Sequence, residues 1–182
     1  MIACVTLKRK ISRRANRGIT LAPLTWQEYR ALRTYRCHAD ALRYDDPERP
    51  LPTEAEEEAW WQRSVATGRH LILSVRRPKG TICGLVHAFD FTEQGRCEIG
   101  IHVFPSTYWN QGIGSRATLL QMGYLRSQRK VRCFMAQTSV ANRPAIAMYK
   151  KIGFQETRRF QEGSMHWLVL EYTLEDTFCP AL

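Results

Sequence analysis

No apolar run in the 182 residues approaches the ~20 that a membrane-spanning helix needs, so no membrane span is expected. The six cysteines (Cys4, Cys37, Cys83, Cys97, Cys133 and Cys179) contain no Cys-x-x-Cys pair, and the five histidines contain no His-x-x-x-His spacing. Those absences exclude the common zinc frameworks, and no metal is expected. Cysteines this far apart, set among strand-like and helix-like segments, read as reduced thiols in a cytoplasmic protein rather than as the staples of a secreted scaffold. The apolar start from Met1 to Leu7 is short and precedes its basic cluster, whereas a secretory signal places its charge first, so export is not expected. Internal repeats and low-complexity tracts are also absent.

Acidic residues are missing from the beginning of the chain. Lys8, Arg9, Lys10, Arg13, Arg14 and Arg17 precede the first carboxylate, Glu28, and carry six of the ten net positive charges. The remainder is only mildly basic, with 21 basic against 17 acidic residues. The net charge therefore describes an arm, residues 1–17, rather than a nucleic-acid-binding domain. The arm reads as a solvated segment or as a contact for an acidic partner such as RNA or a ribosomal surface. A chain of this length fits one domain, assigned to residues 18–174, with residues 175–182 as a tail and with a monomer or homodimer expected.

Along that domain, Gly18 to Leu24 alternates like a short strand. Two capping boxes, Thr25-Trp-Gln-Glu28 and Thr53-Glu-Ala-Glu56, mark helix starts on either side of a loop containing Pro47, Pro50 and Pro52. Three β-rich runs follow at His70 to Val75, Thr81 to Phe89 and Cys97 to Phe104, reading as an antiparallel meander. A glycine turn at Asn110 to Gly114 leads into a helix whose Ile113, Ala117, Leu120 and Tyr124 share one face. A strand at Val131 to Thr138, a helix at Asn142 to Ile152 closed by Gly153, and a hairpin from Phe154 to Leu174 complete the order β-α-α-β-β-β-α-β-α-β-β. This predicts an α/β (α+β) single domain with a mixed, largely antiparallel sheet flanked by helices.

The chemistry is concentrated in two segments. In Tyr108-Trp-Asn-Gln-Gly-Ile-Gly-Ser115 a strand passes through small residues into a helix, so the backbone N–H groups of Asn110, Gln111, Gly112, Ile113, Gly114 and Ser115 can approach a diphosphate at the helix's positive end. The same turn would also serve as a tight strand-to-helix connection. It is neither a Walker loop nor a Gly-x-Gly-x-x-Gly fingerprint. Downstream lies Asn142-Arg-Pro-Ala-Ile-Ala-Met-Tyr-Lys-Lys-Ile-Gly-Phe154.

Together these segments resemble the GCN5-related N-acetyltransferase superfamily, whose glycine turn is Arg/Gln-x-x-Gly-x-Gly/Ala and whose later helix carries Asn-x-x-Ala-x-x-x-Tyr-x-x-x-Gly-Phe. Every fixed position of the second motif is present. In the first, Trp109 replaces Arg or Gln, which resembles the branch containing ribosomal-protein N-terminal acetyltransferases. The resemblance implies an acyl-CoA N-acyltransferase fold and transfer of acetyl from acetyl-CoA to a primary amine by direct attack, on a protein N-terminus or a small amine or amino sugar. It implies that Asn142 and the backbone of Ile101 and Val103 meet the pantetheine arm, with the Val103 N–H as oxyanion donor.

Such a transfer requires proton removal from the amine, a donor to the oxyanion and a proton for the thiolate. Tyr149 matches the helix tyrosine of the resemblance and is assigned as the acid and a cofactor contact, since a phenol near pKa ~10 suits an alkyl thiolate. Strand alternation puts Glu98, Gly100 and His102 on one face. Glu98 is the first choice of base, and His102 the second. Asn142 also has a capping role before Pro144. Arg116 is either a phosphate contact or a surface arginine. One of Trp60 and Trp61 is assigned to the core, the other to an acceptor pocket with the loop from Cys37 to Leu51. Cys97 and Cys133 lack an activating neighbour and read as structural thiols rather than acyl carriers. The alternative is a catalytically inactive module of the same fold that binds RNA or the ribosome through the arm.

Overall fold

The computed structural model describes residues 18–45, 47 and 50–174. The basic arm and the tail lie outside them. Both capping boxes form. Thr25 Oγ1 accepts from the Glu28 amide while Glu28 accepts from the Thr25 amide, opening α1 (Trp26–Ala31) after β1 (Thr20–Pro23). Thr53 and Glu56 repeat the arrangement at the start of α4 (Glu54–Trp60), each box satisfying amides that a helix start leaves without partners. Part of the loop expected between them winds into two single turns, α2 (Arg33–Arg36) and α3 (Ala39–Leu42). At its end α4 continues as a π-helical turn, Trp61–Val65. Trp61 is buried against Leu24, Tyr29 and Ile72, and Trp60 packs at the edge of that cluster.

The meander forms as β2 (Leu71–Arg76), β3 (Ile82–Phe89) and β4 (Arg96–Val103). After α5 (Ile113–Arg129) come β5 (Cys133–Ser139), α6 (Arg143–Lys151), β6 (Gln155–Glu162) and β7 (Met165–Thr173). The seven strands stand in the order β1-β2-β3-β4-β5-β7-β6, and all neighbours are antiparallel except β4 and β5. One face of the sheet packs on α5 and α6 through Val86, Ile99, Met122, Leu125 and Leu168. The other packs on α1 and α4 through Tyr29, Trp61, Ile72 and Leu85.

The parallel contact shapes the site. β4 pairs with β5 only from Arg96 to Glu98, opposite Cys133 to Met135, and beyond that the strands separate. The phase of the antiparallel ladder to β3 is set by the Phe104 amide donating to the Cys83 carbonyl at 3.0 Å. Alternate residues face alternate neighbours in such a ladder, so Ile101 and Val103 turn their backbone groups away from β3 and into the gap.

Two expectations are corrected, at Tyr124 and Cys133. Tyr124 is 40% exposed and lies off the buried face of α5, which runs through Ile113, Ala117, Thr118, Gln121, Met122 and Leu125. The stripe is interrupted by polar residues because Gln121 Nε2 donates to the His87 carbonyl at 2.7 Å and Thr118 Oγ1 to Met148 Sδ at 3.8 Å. These contacts compensate part of their burial, while Gln121 Oε1 is buried without a hydrogen-bond partner among the described residues. Cys133 is disulfide-bonded, so the reading of six reduced thiols fails there, while Cys37, Cys83 and Cys97 are free. Arg116 folds back over the glycine turn and donates to the carbonyls of Gln111 at 3.0 Å and Gly112 at 3.2 Å, helping to build that turn.

Candidate active site

Where β4 and β5 part, a cleft of about 450 Å³ opens, bounded by Ile101, Val103, Thr138, Asn142 and the turn at Asn110 to Ser115. Asn110 and Gly112 both adopt positive φ, 59° and 72°, which swings the chain into α5. No side chain caps the start of α5. Its first amides are therefore open to an anion in the cleft, and the 17-residue helix adds its dipole. No protein atom lies within 4 Å of where a Gly112 Cβ would stand. The turn thus fits a diphosphate approaching the backbone. A valine at Gly112 would strain a left-handed position and occupy that approach. Gly112→Val is expected to weaken acetyl-CoA binding about tenfold or more, measured by calorimetry on a variant with unchanged circular dichroism.

The side chains around the turn hold it in place. Trp109 Nε1 donates to the Val103 carbonyl at 2.7 Å, tying the end of β4 to the turn in place of the expected Arg or Gln. Gln111 Nε2 donates to the Thr107 carbonyl at 2.8 Å, so its side chain points back from the cleft. Asn142 caps α6 by accepting from the Ala145 amide at 3.2 Å, and its Nδ2 donates to Thr138 Oγ1 at 3.0 Å. The capping role is thus present, with Asn142 also forming cleft wall.

On the opposite side of β4, a second cavity of about 450 Å³ lies between the sheet and α1 to α4. Its walls include Trp60, Leu51 and Cys37, as the sequence implied. They also include His70 and His87, which sequence reasoning did not select. His70, just before β2, stacks on His87 of β3, and His102 of β4 is tilted against His87, with ring centroids 5.6 Å apart at both steps. Phe89 extends the stack, 4.8 Å from His70. Gly100 makes this possible, because a Cβ there would overlap the His87 imidazole that lies across it. Burial lowers the pKa of His70 against an opposing Asp90, and lowers His87 well below the ordinary imidazole value, aided by its histidine neighbours. It also lowers His102, opposed by Asp45 and reinforced by Arg36. All three imidazoles are accordingly neutral near pH 7.

His102 bounds both cavities. Glu98 shares its face but lies nearer the closed end of the fork and bounds neither. Burial, with Asp90 nearby, pushes the Glu98 carboxyl up to about 7. Tyr149 is in the core, 4% exposed, with its ring 5.1 Å from Phe154. Burial and the Glu98 charge raise its phenol well above the usual tyrosine value, keeping it protonated. Its neighbours on α6, Ala145 and Met148, bound the cleft, whereas Tyr149 itself, like Glu98, bounds neither cavity. Burial pushes the Cys97 thiol up to about 12, which suits a structural thiol rather than an acyl carrier.

The sequence matches the Acetyltransferase (GNAT) domain over residues 19–155, most of the chain. The chain belongs to the GNAT acetyltransferase family. GNAT enzymes are acyltransferases that take acetyl-CoA as donor, and the cleft beside the uncapped helix start is where this chain has residues suited to it. No curated protein matches the sequence. Among solved structures, the GNAT fold here is similar to that of a spermidine N-acetyltransferase from Vibrio cholerae, crystallised with CoA and spermine. That pair has a TM-score of 0.76 at 17% identity, covering 87% of this chain and 96% of the other. An acetyltransferase of the GNAT family from Bacillus anthracis gives 0.70 at 18% identity, over 86% and 95%. A domain from Methanocaldococcus jannaschii gives 0.73 at 19%, over 86% and 98%. At these identities the likeness concerns the fold. Among the described residues, no cluster of His, Cys, Asp or Glu could hold a metal ion, and no helix is long and apolar enough to cross a membrane.

Proposed function

We propose that this chain acetylates a primary amine held in the histidine-lined cavity, with acetyl-CoA in the cleft between β4 and β5 and the two substrates meeting beside His102. The observation that carries this reading is that His102 is common to both cavities. A neutral imidazole at that junction can accept the proton that an attacking amine must lose. His102 therefore replaces Glu98 as first choice of base, with Glu98 holding a second proton site further along the same face. The Val103 N–H, turned into the fork, serves the developing oxyanion. Tyr149, kept protonated by its burial, serves as donor to the departing thiolate. A protein N-terminus and a small amine are both acceptors of this chemistry; the former rests on the Trp109 turn and its resemblance to the ribosomal-protein branch.

The test is thiol release from acetyl-CoA across a panel of amines, amino sugars and N-terminal peptides. Amine-dependent release with a matching N-acetyl product is expected. Tight acetyl-CoA binding with no release for any acceptor would overturn the reading. The RNA- or ribosome-binding alternative rests on the basic arm, which lies outside the described residues.

A further inference from the structure

The buried charge in the wall of the second cavity is already matched. Glu57, its side chain only 6% exposed, is gripped by two guanidiniums. Arg36 donates to both of its oxygens, at 2.7 and 3.1 Å, and Arg33 lies 2.7 Å away. Burial pushes the Glu57 carboxyl up, but the hydrogen bonds from Arg36 and Arg33 outweigh it and hold it below its ordinary value. Arg36 also covers one face of Tyr29, 3.8 Å from its centroid. Glu56 is engaged with the amide and hydroxyl of Thr53 at the start of α4. The rest of the lining includes the exposed Glu56 side chain and is otherwise mostly apolar or aromatic, with Leu42, Leu51, Ile72, Leu85, the Trp60 indole and the imidazoles. The carboxylates Asp40 and Asp45 stand on the other side of His102, in the wall of the cleft, and Asp40 is 3.4 Å from Arg43.

We infer that the acceptor is a single amine carried on an apolar or aromatic body and not a polyamine, a refinement that rests on the transferase reading above. Aromatic and aliphatic walls of this kind gain from burying a ring or hydrocarbon, and flat rings stack on the imidazole and indole faces. A polyamine would bring several ammonium groups into a space whose buried carboxylate, Glu57, is already paired. The one other lining carboxylate among the described residues is the exposed Glu56, and the wall includes Arg36. Each further unpaired buried charge is strongly disfavoured. The required chemistry occurs in arylalkylamines and in peptides with an aromatic first residue.

The experiment compares 2-phenylethylamine, a peptide with N-terminal phenylalanine, and spermidine. It measures thiol release, and separately calorimetric binding of each amine to the chain saturated with CoA. We expect 2-phenylethylamine or the peptide to exceed spermidine about tenfold or more in kcat/KM and in affinity. Whichever of those two ranks first identifies the source of the ring. Leu51 is half exposed on the cavity rim, so Leu51→Glu adds an uncompensated carboxylate at little cost to folding. It should shift the ratio toward spermidine about tenfold. A wild-type preference for spermidine in both measurements, or a Leu51→Glu ratio equal to wild type, would overturn the inference while leaving acetyl transfer intact. Selective binding of the aromatic amine without thiol release would instead overturn the transferase reading alone.

Discussion

Tyr149→Phe should lower kcat by roughly 10²–10⁴-fold while changing acetyl-CoA affinity far less. The substitution keeps the ring that packs on Phe154 and within the core around Leu168 and Leu170. It removes the hydroxyl, the group on α6 proposed to supply a proton to the thiolate. Because the phenol is buried, the variant is expected to be at least as stable as the parent, so thermal melting separates a chemical defect from a folding one. A variant with parental kcat would remove Tyr149 from the mechanism and leave it as a core aromatic beneath the cleft.

The second large effect concerns His102 and Glu98 and is read from pH dependence. If the neutral His102 imidazole takes the amine proton, kcat/KM should fall only below the ordinary histidine range, because its folded pKa is lowered. His102→Gln should lower kcat/KM by roughly 10²-fold or more. If Glu98 is the base, activity should instead fall below about pH 7, where that carboxyl protonates. Glu98→Gln also makes a prediction about stability. A carboxyl whose folded pKa is raised favours the folded state at low pH and loses that advantage as pH rises above its unfolded value. The shift from 4.5 to about 7 corresponds to roughly 3 kcal/mol at most, present as destabilisation above pH 7 and absent below about pH 4.5. Glu98→Gln should therefore raise the melting temperature at pH 8 and leave it unchanged at pH 4. A stability gain equal at both pH values would contradict a buried, ionising Glu98.

The parts of this protein that depend on short-range rules were legible in its sequence. Both capping boxes join residues three apart, and the Asn142 to Phe154 motif lies within one helix and its closing turn. The glycine turn was equally local, and strand alternation correctly grouped Glu98, Gly100 and His102. The missed features depend on register. His70 and His87 become a site only because β2, β3 and β4 align so that His87 lies opposite Gly100 and over its missing side chain. Alternation within β3 does place Leu85, His87 and Phe89 on one face, so deriving the meander's register would have exposed the stack. The Arg36 and Glu57 pairing spans 21 residues and has no local signature. On α5, Ile113, Ala117 and Leu120 do face the core, but Tyr124 does not, and two buried positions, Thr118 and Gln121, escaped notice because they are polar and find partners in other elements. The preference for Glu98 over His102 followed from resemblance, whereas the cavities single out His102.

The most direct test of the central claim, amine attack on an acetyl group presented in the β4–β5 fork, is intact-protein mass spectrometry beside thiol release. The chain is incubated with acetyl-CoA before and after addition of an accepted amine. Direct transfer predicts no acetylated protein and negligible thiol before the amine, then one thiol for each N-acetyl product formed. Accumulation of an acetyl-protein that the amine discharges, or thiol release at the same rate without amine, would contradict it.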